Sequence, residues 1–215
     1  MRNVLLILIL FASLLTVNRS SAQVILKTDS LSVSCASTDS FQVPLRVLNF
    51  TDVGSFQFTL SWDPQKLDYI ATGPLQPGFT GGPVNFGFDT SANNVNNGRL
   101  TFNWTKFGGA TLPDSTIIFE VSFVRISGNY APVAFTNNPV TVEVTDIDGN
   151  EIPWALMNGG VMPIDTEGPA VSCPANVTTT GTGPTAVSDI DPASLTDNCG
   201  TPAAWFTLSR GTTFT

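Results

Sequence analysis

Few side chains in this sequence are of the kinds that carry catalytic or metal chemistry. The 215 residues contain no histidine and only three cysteines, Cys35, Cys173 and Cys199. Without histidine the chain can build neither a Ser-His-Asp triad nor a histidine-ligated metal site. Three cysteines alone do not fill the four positions of a structural zinc site. The sequence therefore predicts no metal and no cofactor, and the remaining candidates for chemistry are carboxylates.

Residues 146–150, Asp-Ile-Asp-Gly-Asn, place oxygen-bearing side chains at alternate positions, as a calcium loop does. An EF-hand loop also needs glycine at its sixth position and glutamate at its twelfth. Those two positions hold Glu151 and Met157 here. We therefore expect the Asp148-Gly149 pair to turn a hairpin and not to bind calcium.

Two glutamates, Glu120 and Glu143, occupy outward positions of predicted strands and are candidate neighbours. A glycosidase needs two carboxylates about 5–9.5 Å apart across a cleft. Exposed carboxylates on a sheet face usually serve solubility, so the sequence predicts a protein that is not an enzyme.

The elements that position these residues alternate apolar and polar side chains with the two-residue period of a β-strand. The pattern is clearest at 54–67, GSFQFTLSWDPQKL, where four large apolar residues share one face: Phe56, Phe58, Leu60 and Trp62. Similar runs recur at 23–26, 41–48, 67–71, 84–88, 100–105, 117–123, 132–136, 140–145 and up to 161. About nine short strands without an amphipathic helix predict an all-β jelly-roll sandwich.

The first 22 residues have the pattern of a secretory signal peptide. Arg2 is followed by an almost wholly apolar run at 4–15, and small residues precede Gln23. The run is shorter than the roughly 20 residues of a membrane span, so we expect cleavage after Ala22, secretion, and no membrane span in the mature chain. Loss of Arg2 and Arg19 would change the net charge from −8 to −10. Such a charge disfavours nucleic acid as a partner.

Six segments, in this order, make residues 23–164 resemble a cohesin domain, the bacterial module that binds dockerins. They are FQVPLRV, GSFQFTLSWDPQKLDYI, GRLTFNW, STIIFEVSFV, VTVEVTDIDGNEI and NGGV. The resemblance implies a jelly-roll sandwich that binds a protein partner without catalysis. Dockerins are built on two calcium loops and this sequence has none, so the chain would be the receptor of such a pair.

The resemblance also implies where a partner binds. In the cohesin arrangement the strand at 54–62, the strand GRLTFNW and the strand VTVEV lie in one sheet, and their outward residues form a flat face. The predicted partner-binding residues are Ser55, Gln57, Thr59, Thr101, Asn103 and Glu143. Small side chains let a helical partner approach without desolvating many charges. Ser55 and Gln57 stand where well-studied type I cohesins carry an Asn and an Asp, which leaves the type of dockerin open.

Residues 165–215 resemble the beginning of a hyaline repeat, an extracellular immunoglobulin-like module. The matching residues are Cys173-Pro174, Asn176-Val177, Pro192, Asp197-Asn198-Cys199-Gly200 and Gly211 to Phe214. The segment is short for such a module, so we expect an incomplete second sandwich, truncated at the C-terminus. Two alternatives stay open for the cysteines. Either Cys173 pairs with Cys199 and Cys35 is left over, or the partners lie in a missing part of the module.

Two other functions share this architecture. A carbohydrate-binding module would need exposed aromatic side chains, and the candidates are Tyr69, Phe79, Phe107 and Tyr130. A cell-surface adhesin or stalk segment is favoured by the hyaline repeat. Fold alone does not decide among these functions.

Overall fold

The computed structural model describes residues 22–172, 194–197 and 199. The strands between residues 24 and 164 are β1 (Val24–Thr28), β2 (Ser30–Ser34), β3 (Phe41–Leu48), β4 (Val53–Ser61), β5 (Leu67–Thr72), β6 (Val84–Asp89), β7 (Arg99–Ala110), β8 (Thr116–Arg125), β9 (Ala131–Thr136), β10 (Glu143–Asp146), β11 (Trp154–Met157) and β12 (Gly159–Ile164). Beyond them, β13 (Ala170–Ser172) pairs with β14 (Ser194–Thr196). Two one-turn helices, α1 (Pro77–Thr80) and α2 (Ala92–Val95), are also described, and neither is long and apolar enough to cross a membrane.

Two sheets enclose one core. The first holds five strands in the spatial order β11-β1-β3-β8-β5. The second has the order β2-β12-β9-β4-β7-β6, with β10 also paired to β4. The pairs β1–β11 and β2–β12 are parallel, whereas β4 and β7 are antiparallel along most of their length. The predicted fold class, an all-β sandwich of jelly-roll type, is confirmed.

Sequence patterning does not predict β2 and β11. Both are edge strands of four or five residues, and neither contains a fully buried residue. Each packs only two apolar side chains against the core, Leu31 and Val33 of β2 and Trp154 and Leu156 of β11, and so short a run has too few repeats of the alternation to be recognised. The described sandwich therefore has more strands than the nine or so that the pattern indicates.

Strand β4 is the element on which the second sheet is assembled. One edge pairs with β7 from Val53 to Ser61. The other edge pairs with β10 in its first half and with β9 in its second half. The inner side chains Phe56, Phe58 and Leu60 are at most 2% exposed. Because three neighbouring strands hold β4, its outer row of side chains has a fixed register.

Phe79 of the one-turn helix α1 is fully buried, so it is not the exposed aromatic residue that the sequence suggested. Its ring centroid lies 5.5 Å from that of Phe50 and 5.7 Å from that of Trp104. The Trp104 indole N–H also donates to the Phe79 carbonyl at 2.9 Å. The Gly- and Pro-rich sequence around Phe79 has no strand period, so only tertiary packing places this ring in the core.

The cysteines pair in a way that the sequence does not predict. Cys35 forms a disulfide with Cys199, and their Cα atoms are 4.9 Å apart. Cys35 follows β2, which runs parallel to β12, and its N–H donates to the Ile164 carbonyl at 3.0 Å. Cys35 therefore lies where the chain leaves the sandwich. The alternative in which Cys173 pairs with Cys199 and Cys35 is left over is therefore wrong. Cys173, residues 1–21 and most of the predicted hyaline repeat lie outside the described residues.

Candidate binding face

The strands that carry the six predicted partner-binding residues are neighbours in the second sheet, as expected. Gln57 is directly opposite Asn103 of β7 on one side and Glu143 of β10 on the other. Thr59 is likewise opposite Thr101. We call this outer surface of β10, β4, β7 and β6 the polar face.

Gln57 lies at the centre of the polar face. Its side-chain N–H donates to a carboxylate oxygen of Glu143 at 3.3 Å, and the hydroxyls of Ser55 and Thr145 are 2.7 Å apart. Asn103 and Glu143 are exposed, whereas Ser55, Gln57 and Thr101 are half-buried. A shallow depression of about 160 Å³ opens over Gln57 and Asn103. The centre of the face therefore offers amide and hydroxyl groups with little charge.

Thr59 corrects the prediction at one end of this row, because it is fully buried. Its hydroxyl donates to the Val140 carbonyl at 2.9 Å and accepts from the Val140 N–H at 3.0 Å. The segment before β10 thus covers Thr59. Its side chain stabilises that segment and is not accessible to a partner.

Strand β6 extends the polar face with residues that the sequence analysis did not include. Asn85, Gly87 and Asp89 are opposite Thr105, Asn103 and Thr101 of β7. A Cβ atom on Gly87 would lie 3.5 Å from the Asn103 amide, so the glycine leaves this amide open. The alternation of VNFGFD, followed by the polar connection at 90–98 that leads directly into β7, is the signal that could have found these residues.

Two carboxylates near this face are held by hydrogen bonds from their own turns. Hydrogen bonds from Ser91 lower the pKa of Asp89. Hydrogen bonds from Asn150 lower the pKa of Asp146, and the one from its backbone N–H has the largest effect. The backbone N–H groups of Asp148 and Asn150 both donate to one Asp146 oxygen at 2.9 Å, and Gly149 has φ +82°. The hairpin turn predicted at Asp148-Gly149 is confirmed.

The two glutamates considered as a catalytic pair are not neighbours. Glu120 belongs to β8 of the first sheet and Glu143 to β10 of the second. Each alternates with buried residues, so the two carboxylates face away from each other on opposite sides of the sandwich. Within the described residues, no group of three or more His, Cys, Asp or Glu side chains could hold a metal ion.

Of the four aromatic residues considered for carbohydrate binding, Phe107 and Tyr130 are exposed and the other two are not. Phe79 is buried, and the Tyr69 ring stacks on Trp62 with centroids 5.9 Å apart. Tyr130 is 40% exposed, with its hydroxyl donating to the Gly159 carbonyl at 3.0 Å, and Phe107 is 88% exposed.

Comparison with known proteins gives structural matches only. No protein-family model matches the chain, and neither does any curated protein. The sixth cohesin of scaffoldin B from Acetivibrio cellulolyticus, solved with a mutant Cel5 dockerin, matches with a TM-score of 0.55 and 19% identity. The match covers 66% of this chain and 100% of that cohesin. This sandwich has the cohesin fold.

Cohesins from different settings share this fold with the chain. A non-cellulosomal cohesin from the hyperthermophilic archaeon Archaeoglobus fulgidus has a TM-score of 0.54 and 20% identity, over 68% of this chain and 94% of that one. A type II cohesin from the cellulosome of A. cellulolyticus has a TM-score of 0.52 and 11% identity, over 66% and 95%. At these identities the cohesin fold describes the architecture, and function has to be argued from the face itself.

Proposed function

We propose that residues 23–164 form a secreted, non-catalytic binding module whose polar face binds a dockerin-type module of another protein. Such a partner would be a polysaccharide-degrading enzyme or a component of a cell-surface assembly. The observation that carries this proposal is the surface around Gln57 within a cohesin fold. Its side chains are short, polar and mostly uncharged, and the three-strand pairing of β4 holds them in place.

This face is suited to a protein partner for a physical reason. A partner that covers Ser55, Gln57 and Asn103 meets hydrogen-bonding groups that cost less to desolvate than ionised side chains. Gln57 and Glu143 share a long hydrogen bond of 3.3 Å, which an incoming donor can replace. Solved cohesins of the same fold are in complex with dockerins, which supports a dockerin as the partner class. Ser55 and Gln57 stand where type I cohesins carry an Asn and an Asp, so the type of dockerin stays open.

The domain organisation belongs to the same proposal. The pairings of β1 to β12 are contained within 23–164, which supports this range as one module. We assign residues 1–22 to a signal peptide and 165–215 to part of a hyaline repeat. A disulfide between Cys35 and Cys199 suits an oxidising compartment and therefore export. Intact mass of the exported protein should show cleavage after Ala22, and non-reducing peptide mapping should recover the Cys35–Cys199 peptide pair.

The binding function is tested by placing charge at the centre of the face. We expect Gln57→Arg with Asn103→Arg to abolish capture of dockerin-bearing proteins from the secretome of the source organism, with the captured proteins identified by mass spectrometry. Two charges buried without partners at an interface cost several kcal/mol of binding free energy. The matched control is Gln42→Arg with Ser122→Arg, a cross-strand pair on the outer face of the first sheet. Undiminished capture by the Gln57/Asn103 variant would contradict the proposed site.

Carbohydrate binding and a stalk role are the alternative outcomes of this experiment. Burial of Phe79 and packing of Tyr69 leave a carbohydrate ligand fewer exposed rings than the sequence suggests. Wild-type protein that captures no dockerin but is retained on insoluble polysaccharide would favour the carbohydrate-binding module. Protein that binds neither would favour a stalk segment.

A further inference from the structure

A bulge in β7 lies directly beyond the polar face. Ser55 of β4 pairs with Thr105, whereas Val53 pairs with Ala110, so residues 106–109 bulge opposite the single residue Gly54. Gly108 and Gly109 have φ values of +77° and +66°, which glycine adopts without strain. The bulge turns Phe107 out of the sheet and leaves it 88% exposed. Bulges re-aim side chains in this way and are frequent beside binding sites.

The position of Phe107 is set by its surroundings. The Phe107 N–H donates to the Pro83 carbonyl at 3.2 Å, which ties the bulge to the segment before β6. Across from it, Ile147 of the turn after β10 packs against Gly109, where a Cβ atom would collide with the Ile147 side chain. Ile147 is itself 54% exposed. Two large apolar side chains are therefore held at the surface on opposite sides of Gly54.

A groove of about 360 Å³ lies between them. Its lining includes Phe107, Ile147 and the backbone of Gly54, where a Cβ atom would collide with the Asp146 carbonyl. Ser55 and Thr105 line both this groove and the depression over Gln57. The groove is thus continuous with the polar face, and one partner surface can cover both.

The charges around the groove indicate what kind of partner fits. Lys106 and Asp146 line the groove itself. Three further carboxylates lie on β10 or just after it and keep this region acidic: Asp148 in the turn, Glu151 after it, and Glu143 at the other end of the strand. Among the described residues, none of these three carboxylates takes part in an ion pair. The net charge of the chain is −8, which opposes docking of a second copy. An apolar side chain flanked by basic residues is the complementary occupant.

We propose that Phe107 and Ile147 form an apolar clamp for one large apolar side chain of the partner, and that Asp148 and Glu143 select a partner with Lys or Arg beside that side chain. This inference rests on the proposed function, because it adds an anchor and a charge preference to the same binding face. A buried apolar anchor at one end of a polar surface is where binding energy concentrates in protein interfaces.

The probe for this proposal is a displayed library of dockerin modules, including the Cel5 dockerin, selected on the full chain. The binders should carry a large apolar residue with Lys or Arg next to it. Phe107→Ser with Ile147→Ser should weaken their binding about tenfold or more. Asp148→Lys should slow association about tenfold at low salt and much less at high salt. The matched controls Ile70→Ser and Asp68→Lys, both exposed on β5 of the first sheet, should change neither quantity.

The possible results separate the clamp from the proposed function. Binding that is lost in the Gln57/Asn103 arginine variant but kept in the clamp variant supports the function and overturns the clamp. Selection that returns no dockerin overturns both. A clamp variant that unfolds is replaced by Phe107→Leu, which keeps an apolar anchor and should retain most of the affinity, whereas Phe107→Asn should not. Equal affinities of these two variants overturn the clamp.

Discussion

The two outer faces of the sandwich differ in how well their charged side chains are paired within the chain. Beside the first sheet, Lys27 and Arg46 contact Asp29 at 3.2 and 2.7 Å, and Arg46 also donates to the Ser115 carbonyl at 2.9 Å. On the polar face, Glu143 receives a single hydrogen bond of 3.3 Å from Gln57. Charges that are satisfied within the chain stabilise the fold, whereas weakly satisfied groups are available to a partner. The difference distinguishes a structural surface from a binding surface.

The largest difference in stability is expected between two variants, each of which lacks one of these two carboxylates. Asp29→Ala should lower the free energy of unfolding by about 1–3 kcal/mol, because two cations lose a half-buried partner. Glu143→Ala should change it by less than about 0.5 kcal/mol, as is usual for an exposed side chain. Urea unfolding followed by tryptophan fluorescence measures both. Equal losses would contradict the distinction between the two faces.

A second comparison lies within the row of β4 and β7. Thr59→Val should destabilise the protein by about 1–2 kcal/mol, because the Val140 N–H loses its acceptor beneath the surface. Thr101→Val, opposite Thr59 and half-buried, should cost less than about 0.5 kcal/mol. Thermal denaturation of the two variants decides this, and a Thr101 variant as unstable as the Thr59 variant would show that the whole row is structural.

The smallest effect on stability is expected from a change to acidic pH. Burial raises the pKa of Asp29, but hydrogen bonds and charge from Arg46 and Lys27 outweigh it and hold the pKa below its ordinary value of 3.8. The ionised carboxylate therefore stabilises the fold above about pH 4, and this contribution is lost as the pH falls through the lowered pKa. The stability difference between the wild type and Asp29→Asn should shrink from pH 6 to pH 3. A constant difference would mean that the Asp29 charge does not stabilise the fold.

Much of the polar face follows from strand periodicity. The alternation of Phe56 and Phe58 with Ser55 and Gln57 assigns each side chain to the core or the surface, because successive residues of a strand point to opposite faces. The side chains that the face presents at Gln57 and Asn103 can therefore be predicted from the sequence alone. That β4, β7 and β10 are neighbours was predicted only through the order of segments that resembles a cohesin.

The features that the sequence analysis missed depend on contacts between distant segments. Thr59 has the same pattern as Gln57, yet it is buried because the segment at Val140 crosses it. Glu120 and Glu143 both read as outward residues, but they belong to different sheets. Phe107 is exposed, as the sequence suggested, but only the unequal pairing of β7 with β4 shows the bulge that exposes it.

By itself the sequence determined the all-β class, the aromatic core rows and the small polar side chains outside them, since these depend on the two-residue period of the backbone and on which groups leave water. Only the tertiary structure decided the Cys35–Cys199 pairing, the burial of Phe79 and Thr59, and the position of Phe107 and Ile147 in the lining of one groove. These features depend on contacts between segments that are separate in the chain, by 25 residues for Phe79 and Trp104, 81 for Thr59 and Val140, and 164 for the two cysteines. Local residue patterns do not indicate such contacts.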